Sequence, residues 1–207
     1  VASSTPDLKL SPLYRVDGRS DLEEKIVAGW PGFGGDGPVR VGNGAALQAQ
    51  NDIFGEMVLA LAPVFLDERF TAERSHATLE LLERLARRAI AVAGTPDAGI
   101  WEYRTAMRPQ TFSSLMSWAA ADRMAKVAAV QVPGLEPEFR AGAERIRDEI
   151  VARAWNQDLG SFVSMYDDGG LDASLLQIVT LRLLPRDDAR VHSTVDVIRK
   201  TLSQDDW

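Results

Sequence analysis

Cysteine is absent from the 207 residues, so disulfides, thiolate-bound zinc and thiol catalysis are excluded. Histidine is scarce: His76 and His192 are too few for a His-rich metal centre, and no metal site is expected. Long apolar runs are missing. No stretch approaches the roughly 20 apolar residues that a membrane span needs, so no membrane partner is expected. Concentrated positive charge is lacking as well, because 23 Lys and Arg stand against 30 Asp and Glu, a formal charge of -7 without a basic cluster. Nucleic-acid backbones are held by clustered cations, which excludes that class of partner. Carboxylates, hydroxyls and arginines are left to carry chemistry. No secretory segment is visible, and a cytoplasmic location is the expectation. The start at Val1 and the end at Trp207, directly after an amphipathic stretch, read as cuts inside a longer product.

What is present is helical periodicity. Apolar residues recur at steps of three or four over six segments. These are about 43–66 (Leu47, Phe54, Val58, Leu61), about 71–93 (Leu79, Leu82, Leu85, Ile90) and about 111–131 (Phe112, Leu115, Met116, Ala119). Three more follow at about 137–154 (Phe139, Ile146, Ile150), from 172 (Leu175, Val179, Leu183) and at about 189–203 (Val191, Val195, Ile198). Gly94 with Pro96 beyond stops the second, and Pro137 suits the first turn of the fourth. Strand alternation is confined to a short piece near 162–166, so the predicted fold class is all-α. The links at 67–70, 132–134 and 185–188 are short, whereas those at 95–110 and 156–171 and the lead-in over 1–42 are long. Short links join antiparallel neighbours. Three helical hairpins over 43–204 are therefore predicted, with the long loops gathered at one end. Loops of that length are mostly functional when they are ordered.

The lead-in holds Tyr14, Arg15, Trp30, Phe33 and Arg40, with six glycines between Val27 and Asn43. Neither a Walker lysine nor a dinucleotide fingerprint accompanies them, so a tight structured loop is expected rather than a phosphate cradle. The second long loop reads TPDAGIWEYRTAMRPQ, with Glu102 between Trp101 and Tyr103 and with Arg104 and Arg108 nearby. A carboxyl against an aromatic wall is desolvated, which raises its pKa and prepares a general acid. A Trp face also suits stacking on a sugar ring. The same residues equally fit a loop glutamate paired with Arg104 and a Trp that anchors the loop. In the third loop Asp167, Asp168 and Asp172 do not match calcium-loop spacing. Asp172 precedes an apolar run and has the form of an N-cap. Ser113 and Ser114 lack the His and Asp partners of a hydrolase triad.

Taken together, GIWEYR, TFSSLMSWAAADR, PVRVGNGAALQAQNDIFGE and LDASLL resemble glycoside hydrolase family 15, which includes glucoamylases, glucodextranases and a bacterial trehalase branch. The likeness runs in the family's order over nearly the whole chain. It implies an (α/α)6 toroid, about half of it present here, with an active site at the end carrying the long loops. It implies an inverting hydrolase of α-linked glucosides, of trehalase or glucoamylase type, with a small-molecule substrate and no organic cofactor. Glu102 takes the place of the general acid and Trp101 that of the aromatic residue beside it. Gly37, Pro38 and Arg40 fall in the segment lining the glucose site, with Tyr14 and Trp30 upstream. Arg104 and Asp172 complete the expected substrate-binding set. Tyr103, where glucoamylases carry a second acidic residue, fits the bacterial branch and favours a disaccharide such as trehalose.

Inverting hydrolases place an acid and a base about 6.5–9.5 Å apart. By the resemblance the base comes from a later segment, so this chain is expected to carry the acid without its base and to be poorly active alone. Exposed inner helix faces would favour association, a homo-oligomer included. A reading from another class is a non-catalytic α-helical scaffold whose loop face binds protein or glycan. The surroundings of Glu102 discriminate between the two.

Overall fold

The computed structural model describes residues 8, 10–103, 106–167 and 169–203. Among them the α-helices are α1 (Asp52–Leu61), α2 (Pro63–Leu66), α3 (His76–Val92), α4 (Thr111–Gln131), α5 (Glu136–Ala154), α6 (Gln177–Leu181) and α7 (Ala189–Leu202). Strand pairing among the described residues is limited to short antiparallel pairs and one isolated bridge, Gln110 with Met165. Lys25–Ile26 pairs with Arg40–Val41, Pro96–Asp97 with Arg108–Pro109, and Trp155–Asn156 with Ser161–Phe162. The chain is all-α, built from helical hairpins. No described helix is long and apolar enough to cross a membrane.

Helix α4 organises the rest. Its first turns, 111–121, are buried without interruption, so this helix has no solvent face there. A helix segment buried on every face has to be surrounded. Helices α1, α3, α5 and α6 pack against it. Small side chains (Ser113, Ser114, Ser117, Ala119, Ala120, Ala121) allow that close approach, while Phe112, Leu115, Met116 and Trp118 fill the space between. One core cluster lies toward α1–α3 through Phe54, Val58, Leu82, Leu85 and Met124. The other lies toward α5–α7 through Leu115, Ile146, Ile150, Ile178 and Ile198.

Three boundaries differ from the periodicity. The segment expected as one helix over 43–66 is instead a 3-10 turn at Gly44–Leu47, a non-helical piece at 48–51 that leaves the turn extended at Gln48, and the pair α1 and α2 separated at Pro63. Asn43 Oδ1 accepts from the Ala45 amide at 2.9 Å and starts the turn. The non-helical piece sends its backbone bonds sideways, from Asn51 N to Asp97 Oδ2 and to Ala49 O from Ala98 N, both at 2.9 Å. The link expected at 67–70 is longer. Asp67 caps a 3-10 segment, Glu68–Glu73, and Ser75 then caps α3 by accepting from Thr78 N at 3.1 Å. The helix expected from 172 begins as a 3-10 turn, Ala173–Leu176, capped by Asp172, which accepts from Ser174 N at 2.7 Å. Arg182, in the left-handed region at φ 63°, ends α6 early.

The long loops meet one another. The 95–110 loop reaches the 48–51 piece through Ala98 and Ala49, and Gln110 pairs with Met165 of the 156–171 loop. Thr111 N and Oγ1 donate to Ser164 O and Val163 O at 2.9 and 2.6 Å, so the start of α4 is bound to that loop as well.

Gly55 marks the closest helix contact, because a Cβ there would lie 2.2 Å from Met116 O and 2.7 Å from Met116 Cβ. At Gly142 a Cβ would meet side-chain atoms of Ile90 and no backbone, Cδ1 at 2.7 Å and Cγ1 at 3.1 Å. Gly55→Ala is therefore expected to destabilise by about 1–3 kcal/mol through displacement of α1 from α4. Gly142→Ala is expected to stay within about 1 kcal/mol, helped by alanine's helix propensity. Urea unfolding of the two variants measures the contrast, and equal losses would contradict it.

Candidate active site

The 95–110 loop is a hairpin whose base is the Pro96–Asp97 and Arg108–Pro109 pairing. Its tip turns at Gly99, where Glu102 N donates to Gly99 O and Tyr103 N to Ala98 O, both at 3.1 Å. Glu102 has φ 53°, a left-handed conformation that is unfavourable for a residue with a side chain. Such residues persist only where the surroundings over-determine them. Here the surroundings are Gln48 and Gln50. Gln48 Nε2 donates to the Glu102 and Tyr103 carbonyls at 3.3 and 3.1 Å, and Gln50 Nε2 donates to Glu102 Oε1 at 3.3 Å. Among the described residues, the half-buried Glu102 carboxyl accepts from the neutral amide of Gln50.

Trp101 is 57% exposed, and its Nε1 donates to Asp172 Oδ2 at 2.5 Å. Asp172 therefore has two tasks: Oδ1 caps the turn before α6 and Oδ2 ties the Glu102 loop to it. Arg104 lies outside the described residues. Tyr14 is half-buried and its hydroxyl accepts from Ser11 N at 2.8 Å. Arg40 pairs with Glu24 at 3.3 Å, and Trp30 is exposed. The structure brings Glu102, Trp101 and Asp172 together. Tyr14, Trp30 and Arg40 stay with the lead-in, where Tyr14 is bonded to Ser11 and Arg40 to Glu24. The lead-in does approach that region, since a cleft of about 390 Å³ is lined by Leu8, Leu10 and Ser11 on one side and Gln48, Gln50 and Asn51 on the other.

Beneath the loop lies a set of polar residues that periodicity misses. Asp97 is fully buried, and its Oδ2 accepts from Asn51 N at 2.9 Å and Ser113 Oγ at 2.7 Å. Burial pushes its carboxyl above the ordinary range, against the lowering influence of the Asn51, Ser113 and Gly99 donors. Asp52, the first residue of α1, is also buried. Desolvation first, then the nearby charges of Glu56 and Asp97, raise its pKa from 3.8 to about 6. The run QAQND held the signal: Asn and Asp ahead of the apolar Ile53 and Phe54 mark a helix start, so α1 begins there and the residues before it are free to bond elsewhere.

Comparison with known proteins bears on this arrangement. The family model described as Glycosyl hydrolases family 15 matches residues 3–206. The chain belongs to glycoside hydrolase family 15. This family-15 chain is 36% identical over 197 residues to the trehalase of Mycolicibacterium smegmatis, covering 95% of this chain and 29% of that protein. It is 30% identical over 206 residues to the trehalase of Thermoplasma volcanium, covering 98% and 32% respectively. The chain therefore spans about a third of the length of the curated relatives it matches. Among solved structures, a glycosidase in complex with glucose aligns with a TM-score of 0.63 at 19% identity, over 74% of this chain and 40% of that one. A wild-type glycosidase aligns with a TM-score of 0.63 at 18% identity, over 77% and 42%. At these identities the likeness is one of fold, a toroid-type glycosidase built from helical hairpins.

The buried Asp52 gives a pH signature. Its folded pKa, about 6, lies above the ordinary 3.8, so the folded state holds the proton more tightly than the unfolded chain. As pH rises from about 4 to about 6 the unfolded chain releases that proton first, and stability falls. Above about 6 the penalty is complete. Asp52→Asn is expected to be more stable than the parent at pH 8 by about 1–3 kcal/mol. The difference should shrink toward zero below pH of about 4. Urea unfolding at the two pH values measures it, and a pH-independent difference would contradict the assignment.

Proposed function

We propose that this chain carries the general acid of an inverting α-glucosidic hydrolase, with trehalose as the favoured substrate and Glu102 as the acid. The observation that carries the reading is the presentation of Glu102. A single carboxylic acid sits in an unfavourable left-handed conformation at the tip of a hairpin, gripped through its carbonyl by Gln48 and through its carboxyl by Gln50. A scaffold glutamate has no need of such restraint, whereas a proton donor works only at one angle to the departing oxygen. Membership of family 15 supports a glycosidase over a non-catalytic scaffold, and the trehalase names of the relatives support an α,α-linked disaccharide.

In this reading the Glu102 carboxyl gives its proton to the glycosidic oxygen as the bond to the anomeric carbon breaks. A water activated by a second carboxylate attacks that carbon from the opposite face, and configuration inverts. Asp172 does not serve as that second carboxylate, since both its oxygens accept N–H bonds. Glu24 is engaged with Arg40. The base is proposed to come from a part of the protein outside these residues. Trp101, Arg40, Tyr14, Trp30 and Arg104 are proposed to line the sugar site, and Asp172 to hold Trp101 in it.

The test is glucose release from trehalose and from maltotriose by the complete protein, with proton NMR following the anomer first formed. β-Glucose is the expected first product. Glu102→Gln is expected to lower kcat by about 10²–10⁴-fold with the fold intact. Turnover retained in that variant, or α-glucose as first product, would overturn the reading.

A further inference from the structure

The buried carboxylate beneath the loop has no place in the chemistry just proposed, yet it sits where three elements meet. Asp97 belongs to the hairpin that carries Glu102, Asn51 to the non-helical 48–51 piece, and Ser113 to the first turn of α4. Asp97 Oδ2 receives hydrogen bonds from the last two, at 2.9 and 2.7 Å. Asn51 Nδ2 donates to Thr95 Oγ1 at 3.0 Å, and Ala98 N donates to Ala49 O at 2.9 Å, so the hairpin and the non-helical piece are laced along one edge. From that same piece Gln48 and Gln50 reach the carbonyl and the carboxyl of Glu102. An apolar side chain would fill the Asp97 position without the cost of burying a carboxylate. It would not fix a direction.

We infer that Asp97 is a positioning residue for the acid: its buried carboxylate sets the 48–51 piece against the hairpin, so that Gln48 and Gln50 hold Glu102 at the angle protonation requires. The inference rests on Glu102 being the general acid. The role is one of acceptor geometry and not of charge. The two close hydrogen bonds both end on Oδ2, so in Asp97→Asn an amide oxygen at that position still accepts from Asn51 and Ser113, and only the weaker influence of the Gly99 amide on the carboxyl is lost.

The experiment measures kcat and KM for trehalose in the complete protein carrying Asp97→Ala, Asp97→Asn, Ser113→Ala or Glu102→Gln, with helical content followed by circular dichroism. Asp97→Ala is expected to lower kcat about 10–100-fold while KM stays within about threefold, because a misaligned proton donor loses transition-state stabilisation and leaves substrate binding intact. Asp97→Asn is expected to recover kcat to within about fivefold of the parent, since both acceptor bonds survive. Ser113→Ala removes one of the two donors to Oδ2 and is expected to lose less than Asp97→Ala. If Asp97→Ala fails to fold, Ser113→Ala decides: a loss confined to kcat upholds the inference and an unchanged kcat overturns it. Full kcat in Asp97→Ala overturns it, as does an Asp97→Asn variant no better than Asp97→Ala. Should Glu102→Gln keep its kcat, the acid assignment falls and this inference with it. Should Glu102→Gln lose activity while Asp97→Ala keeps it, the positioning role alone falls.

Discussion

A helix segment without a solvent face has no choice but to be enclosed, and α4 imposes that constraint on everything around it. Residues 111–121 are buried in sequence, so neighbours have to close on α4 from every side. Burying an apolar helix removes its area from water at about 25 cal/mol per Å². That gain is realised only if α1, α3 and α5 lie close, which glycine at 55 and serines and alanines along α4 permit. The start of α4 is then the one end where backbone amides need partners from loops. The 156–171 loop supplies them at Thr111, and the 95–110 loop feeds directly into the helix. Enclosure of one helix thus fixes where the hairpin carrying Glu102 must emerge.

Long, strongly periodic elements were legible. The helices α3, α4, α5 and α7 lie close to where steps of three and four place them, because their burial follows the same periodicity. What was not legible is the non-helical 48–51 piece. Gln48, Ala49 and Gln50 have good helix propensity, and the one local sign against a helix there is the Asn51–Asp52 start that follows them. Their conformation is set by Asp97 and Ala98, whose bonds to Asn51 and Ala49 span 46 and 49 positions of sequence, and no local pattern carries those partners. The same holds for α6, where Arg182 takes a left-handed conformation that favours glycine and is not announced by its residue type.

The site was legible in part and for a definite reason. Glu102 stood out because a carboxyl flanked by Trp and Tyr is unusual in a loop, and its neighbourhood to Asp172 follows from two loops leaving the same end of the hairpins. Asp97 passed unnoticed because a lone Asp five positions earlier looks like any turn residue. Its significance lies in burial, and burial of a polar residue is a tertiary property. Gln50 passed unnoticed because an amide carries no charge and no chemistry of its own.

Under the proposed role of Glu102 as proton donor, a neutral partner has a consequence. A cation beside Glu102 would hold the ionised carboxylate and resist its reprotonation. A second carboxylate would do the reverse. The amide of Gln50 carries a donor at one end and an acceptor at the other, separated by a half-turn about one bond. It meets the bare oxygen with its N–H and, rotated, meets the protonated one with its carbonyl. One side chain can thus act as a two-sided latch that fits both charge states of its neighbour, without moving the backbone that aims it.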